Sequence, residues 1–138
     1  MTNPSDADRA FIAHRAQLQA RLDEIEDEAR SKSGAVDRRA FYDSVYAFAG
    51  DDAGKVPWAD QKPKVHLQQW LDANPGVGRS ALDIACGLGD NAAAMAEAGY
   101  ATTGFDISPT AVEWAGKRFP QGVSFTVADL LEPPSSWL

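Results

Sequence analysis

A chain of 138 residues, 44% hydrophobic and 24% charged, has the composition of one ordinary globular domain and is neither disordered nor fibrous. Its net charge of −7 is spread along the length, with 12 acids and 8 bases in residues 1–60 and 8 acids and 5 bases in residues 61–138, which argues against a nucleic-acid partner. A single cysteine, Cys86, and two distant histidines, His14 and His66, exclude an internal disulfide framework and leave no grouped ligands for a metal.

No apolar run approaches the roughly 18 residues that a membrane span needs. Residues 1–10 lack the basic region and apolar core of a secretory signal. The expectation is a cytoplasmic protein that handles small molecules, with no nucleic-acid or membrane partner.

Residues 5–32 contain no proline or glycine and are rich in helix formers, which predicts a long helix. Ser5 with Asp8 forms a weak capping pair at its start. Phe11, Leu18, Leu22, Ile25 and Ala29 recur at spacings of three and four, with Arg15 interrupting the seam. That stripe fits a helix laying one face on its own domain better than a partner helix, which remains the alternative. Residues 33–37 break the pattern, and residues 38–49 resume it through Phe41, Val45 and Phe48. Tyr42 and Tyr46, one turn apart, fit core better than a substrate pocket. The glycines and acids of residues 50–54 read as a loop, followed by Val56, Pro57 and Trp58. A short helix over residues 64–73 carries Val65, Leu67, Trp70 and Leu71, and Asn74, Pro75 and Gly76 end it.

From Ser80 the texture changes to strand–helix–strand–helix–strand. Residues 81–85 read as a strand, residues 90–98 as a helix of small residues stopped by Gly99 at C′, and residues 100–105 as a second strand. Ser108 is a good N-cap with Pro109 at the first helical position, and that helix runs to Phe119 before Pro120. Residues 123–127 form a third strand with alternating apolar residues. The fold class is therefore α/β, a Rossmann-like doubly wound parallel sheet of three strands in the order 3-2-1, preceded by an N-terminal helical segment. The expected divisions are a helix over 1–33, a helical lead-in or lid over 34–78, and the first half of the Rossmann-like domain over 79–138.

Gly87 and Gly89 join the first strand to the first helix, where glycine permits a sharp turn and close backbone approach by a ligand. With Ala92 they satisfy the G-x-G-x-x-A dinucleotide fingerprint. Asp83 lies inside the first strand, Asp106 ends the second, and Asp129 follows the third. All three fall near the carboxyl edge of neighbouring strands, where open α/β sheets bind ligands. Asp106 can accept from a ribose diol, Asp129 from an exocyclic adenine amine, and Asp83 can fix the loop or receive an ammonium group. Each acid also has a bland reading as a turn or capping residue. A trio of acids matches an adenosyl ligand carrying a cation better than a pyrophosphate.

The run Ala81-Leu82-Asp83-Ile84-Ala85-Cys86-Gly87-Leu88-Gly89-Asp90-Asn91 resembles the first motif of class I S-adenosylmethionine-dependent methyltransferases. Thr103-Gly104-Phe105-Asp106-Ile107-Ser108 resembles their second acidic motif, and Val127-Ala128-Asp129-Leu130-Leu131 their adenine-edge motif. The resemblance spans about residues 56–138 and, within the superfamily, leans towards the thiopurine and tellurite-resistance group.

It implies S-adenosylmethionine as cofactor and methyl transfer to a small-molecule acceptor. Asp83, Ala85, Gly87 and Gly89 would shape the pocket for the methionine part, and Asp106 would hold the ribose hydroxyls. Ile107 would pack on the adenine, Asp129 and Leu130 would receive its edge, and Trp58 would lie near the methyl end. Cys86 reads as a packing residue, and the sequence nominates no general base. The family continues past the adenine motif into a fourth strand, so the expectation is the N-terminal portion of a longer enzyme, with an unpaired first-strand edge. The alternatives are an NAD-dependent oxidoreductase, against which Asp83 and Asp129 speak, and a non-catalytic cofactor-binding or partner subunit acting through residues 5–32.

Overall fold

A computed structural model of the chain describes residues 5–34 and 37–138. The fold divides into two compact units, Met1–Trp58 and Ala59–Leu138.

The first unit is helical. Helix α1 (Asp6–Ser33) and helix α2 (Arg38–Ala49) pack on each other. Asp37 caps α2 by accepting the Ala40 amide hydrogen at 3.2 Å, an interaction typically worth about 1 kcal/mol. Leu18, Leu22 and Ile25 of α1 share a small apolar gap with Val45, Phe48 and Pro57. The stripe along α1 thus lies on its own unit, and the Arg21 guanidinium sits 5.1 Å from the Phe48 ring centre. Arg15, the residue interrupting the seam, reaches out to donate to the Pro57 carbonyl at 3.3 Å. The Ser5–Asp8 capping pair and the Phe11 contact involve side chains outside the described residues. Residues 53–55, expected as loop, form one 3₁₀ turn capped by the Asp52 carboxylate on the Gly54 amide.

In the second unit, α3 (Val65–Ala73) precedes β1 (Ser80–Ile84), α4 (Asp90–Glu97), β2 (Ala101–Asp106), α5 (Pro109–Arg118) and β3 (Val123–Val127). The strands form one parallel sheet in the order β1-β2-β3, as the 3-2-1 expectation requires. In register, Asp83 pairs with Gly104 and Asp106 with Val127. Helices α4 and α5 pack on the sheet, and α3 packs on α4 through Leu71, Ala94 and Tyr100. Ser108 caps α5 as expected, accepting the Ala111 amide hydrogen at 3.1 Å.

Two strands are displaced by one residue from the sequence reading, each for a local reason. Ala85 has φ +56°, a left-handed conformation incompatible with a strand, so β1 ends at Ile84. Tyr100 is drawn into the stop of α4: its amide donates to the Met95 carbonyl beside Gly99 at φ +98°, and β2 starts one residue later. Residues 133–138, expected to lead towards a further strand, include a 3₁₀ turn at Ser135–Trp137. It places the Trp137 ring 5.1 Å from that of the buried Phe105. At the β1 edge Leu82 and Ile84 remain about half exposed. Among the described residues no helix is long and apolar enough to cross a membrane.

Candidate functional site

The carboxyl edge of the sheet is built from three returns of the chain: the turn after β1, the short link from β2 to α5, and the turn after β3. The first is the tightest. After Ala85, the Cys86 amide donates to the Phe105 carbonyl at 2.9 Å, tying the turn to β2. Gly87 and Gly89 both have positive φ, +52° and +87°. Gly89 is the residue preceding α4, and its missing side chain is already accounted for. A Cβ there would lie 2.8 Å from Phe125 Cζ and 3.1 Å from Phe119 Cδ2. Gly89 therefore lets the turn settle onto the sheet, in keeping with the sharp-turn part of the sequence reading.

Asp106, only 5% exposed, organises the edge. One carboxylate oxygen accepts the Gly87 amide hydrogen at 2.9 Å, and the other accepts that of Ser108 at 3.0 Å. The bland reading of Asp106 as a turn residue is thus realised, and it does not exhaust the group. Each carboxylate oxygen accepts more than one hydrogen bond, so one lone pair on each remains for a diol. Asp129 works similarly on a smaller scale, accepting the Leu131 amide hydrogen at 2.9 Å while its carbonyl accepts that of Glu132. Leu130 is exposed and Ile107 half-buried beside these turns.

Asp83 lies beneath the first turn with 9% of its surface accessible, and its Oδ2 is buried without a hydrogen-bond partner. Burial pushes its carboxyl up to about 6, the Ala92 amide hydrogen bond pulls the other way, and the Asp106 charge adds to the rise. The Cys86 thiol is pushed up to about 12, first by burial and then by Asp106 and Asp83. At neutral pH it is a packing group and no nucleophile, as expected.

Sequence reasoning missed Arg118. From the last turn of α5 it makes a bidentate pair with Asp90 at 2.7 and 3.0 Å and donates to the Leu88 carbonyl at 2.7 Å. One guanidinium so fastens the glycine turn, the first residue of α4 and the end of α5. The partners are 28 and 30 residues apart, and no local pattern signals such a pairing. Val127, 40% exposed and in register with Asp106, is a second apolar group at this edge that the sequence left unassigned.

Of the predicted site residues, Asp83, Ala85, Gly87, Gly89, Asp106, Ile107, Asp129 and Leu130 all lie at or beside the carboxyl ends of the three strands. Trp58 belongs to the first unit. There its indole N–H donates to the Tyr46 hydroxyl at 2.8 Å, and its ring meets Tyr42 and Tyr46 edge-on. Tyr46 is buried, as the core reading of that residue expected.

A parallel sheet with helices packed on it and a glycine turn at its carboxyl edge is a Rossmann-like fold. Residues 81–136 match the family described as a methyltransferase domain. A 2-heptyl-1-hydroxyquinolin-4(1H)-one methyltransferase from Mycobacteroides abscessus is 30% identical over 82 residues, covering 56% of this chain and 36% of that protein. A structure concerned with the conversion of a disulfide bond into a thioacetal group during echinomycin biosynthesis is 32% identical with a TM-score of 0.54. That match covers 64% of this chain and 39% of the other. The fold alone is shared with magnesium protoporphyrin IX methyltransferase from Synechocystis, solved with bound S-adenosylmethionine, at 22% identity and a TM-score of 0.52, over 72% of this chain and 58% of that one. Through this segment the chain is similar to S-adenosylmethionine-dependent methyltransferases. It spans little more than a third of the length of the first two relatives.

Proposed function

We propose that the chain binds S-adenosylmethionine at the carboxyl edge of its sheet and serves methyl transfer to a small-molecule acceptor. The observation that carries this reading is the buried, unpartnered Asp83 oxygen beside Asp106, on strands and a helix that contain no basic residue. Such a site favours a cationic adenosyl ligand and disfavours a pyrophosphate. At about 4 Å and an effective dielectric of 20, the two signs differ by several kcal/mol before desolvation.

The residues fit that ligand as follows. Asp106 offers its remaining lone pairs to the ribose hydroxyls, and Ile107 covers one face of the adenine. Asp129 and the Leu130 backbone receive the adenine edge. Asp83, Ala85 and Gly87 border the methionine part, while Gly89 sets the turn on Phe125. When bound, S-adenosylmethionine supplies an activated methyl on a sulfonium, a good leaving group. The protein's share is then alignment and exclusion of water, and orientation alone is worth roughly 7–11 kcal/mol in intramolecular analogues. No general base is assigned.

The small-molecule acceptor rests on the quinolone methyltransferase among the relatives. Titration calorimetry with S-adenosylmethionine, S-adenosylhomocysteine and NAD tests the cofactor reading. Saturable binding of the first two, weakened by Asp106→Asn, is the expected result. Tight binding of NAD with no response to either adenosyl ligand would replace this reading with the oxidoreductase one.

A further inference from the structure

The Asp83 carboxylate has an unusual neighbourhood. It sits in β1, against β2 and α4, with one oxygen sealed from solvent and lacking any partner. The ionisable groups on the elements packed against it are few. Asp106 of β2 bears the same sign. On α4, Asp90 is matched by Arg118, and Glu97 is exposed near the opposite end of the helix. Cys86 in the turn is a neutral thiol at physiological pH. β1, β2 and α4 carry no lysine, arginine or histidine. A buried carboxylate so placed needs a positive charge from elsewhere, because desolvation and a like-charged neighbour both oppose its ionised form.

We propose that in mildly acidic solution Asp83 holds a proton in the ligand-free site and releases it to solvent when a cationic adenosyl ligand enters, so that the site selects ligands by charge, and more strongly as pH rises from 5 to 7. This rests on the S-adenosylmethionine reading and adds a specificity-determining role to it. In the free site the proton neutralises Asp83. On binding, the O–H bond breaks, the proton leaves to buffer, and the carboxylate faces the ligand's positive charge. A neutral adenosyl thioether brings no charge to replace the proton and leaves it in place.

The size of the effect follows from linkage. A carboxyl that titrates at about 6 when free, and at an ordinary carboxylate value near 3.8 when bound, makes the cationic ligand about tenfold weaker at pH 5 than at pH 7. Affinity for the neutral ligand stays flat across the same range.

Two measurements on the full chain test this. The first follows the Asp83 side-chain carboxyl by carbon-13 NMR in the ligand-free protein, identified by its loss in Asp83→Asn. A midpoint near 6 is expected, and one near 4 overturns the proposal. The second is calorimetry at pH 5.5 in two buffers of different ionisation heat, with S-adenosylmethionine and with uncharged 5′-methylthioadenosine. More than half a proton should be released with the first and almost none with the second, and Asp83→Asn should abolish the difference. Equal release by both ligands, or release that survives Asp83→Asn, overturns the proposal. Absence of heat with every adenosyl ligand defeats the cofactor reading and the release step with it, while the carbon-13 midpoint still decides whether the free carboxyl is protonated.

Discussion

At the end of β2 the Asp106 carboxylate collects the amide hydrogens of Gly87 and Ser108, one on each oxygen. In β1, four residues before Gly87, the Asp83 carboxylate is buried almost as deeply, yet one of its oxygens has no partner. The two acids lie on neighbouring parallel strands of one sheet and share the same lack of basic neighbours on those strands. What separates them is backbone geometry. The link after β2 presents the Ser108 amide to Asp106 and the turn after β1 presents that of Gly87, whereas no amide reaches the buried Asp83 oxygen. Asp106 thus holds the edge together before any ligand arrives, and Asp83 is left with a charge that the fold does not balance. The contrast assigns architecture plus ribose contact to one acid and charge selection to the other.

The contrast is broken most severely at Asp106. Asp106→Ala removes the acceptor for two amides and should cost about 3–5 kcal/mol of stability, by thermal or urea melting, since each hydrogen bond to a charged group contributes roughly 1.5–3 kcal/mol. Adenosyl-ligand affinity should fall roughly 100-fold with it, about 2.7 kcal/mol. Asp106→Asn, which can still accept one amide hydrogen, should show smaller losses in both.

Next is the turn that Asp106 holds. Gly89→Ala combines a left-handed φ with a Cβ at 2.8 Å from Phe125, and the sum of the two penalties is about 2–4 kcal/mol. Adding Phe125→Leu should recover the packing part and leave the conformational part. Full recovery in the double variant would show that φ at this corner is unimportant. Arg118→Gln comes third, at about 1–3 kcal/mol, because it leaves the partly buried Asp90 carboxylate without its cation. Its effect should persist in 0.5 M salt, since the pair is largely shielded from solvent.

The smallest change has the opposite sign. Asp83→Asn should stabilise the ligand-free protein by about 1–2 kcal/mol at pH 7.5, the scale of one unsatisfied buried group. The pH dependence follows from the raised carboxyl. Between the unfolded value of 3.8 and the folded value of about 6 the native state binds more protons than the unfolded one, so wild-type stability declines as pH rises through that window. The gain from Asp83→Asn is therefore full above pH 6 and vanishes below about pH 4. Melting curves of both proteins across pH 4–8 check it, and a gain independent of pH would refute the charge argument.

Much of this was legible in the residues. The extents of α2 and β3 and the cap of α5 follow directly from hydrophobic spacing, Ser108 and Pro109, and the three acids fall at one edge because strand–helix alternation leaves little choice of topology. The one-residue errors at β1 and β2 came from backbone demands that spacing does not encode: an alanine in a left-handed corner, and a tyrosine recruited to end a helix. Gly89 was recognised as a turn residue, but the packing of its empty side against Phe125 of β3, 36 residues further on, was not legible. Arg118 was invisible because its partners are brought near only by the folded sheet. The missing partner of Asp83 was equally out of reach, because a one-dimensional pattern shows where an acid sits and not what surrounds it.

The central claim is that the carboxyl edge of the sheet is where the adenosyl ligand sits, and amide NMR during addition of S-adenosylhomocysteine tests it most directly. The account predicts that the largest shifts fall on Gly87, Ser108 and Leu131, whose amides donate to Asp106 and Asp129. Shifts concentrated on residues 38–58 of the first unit, with those three amides unmoved, would contradict it.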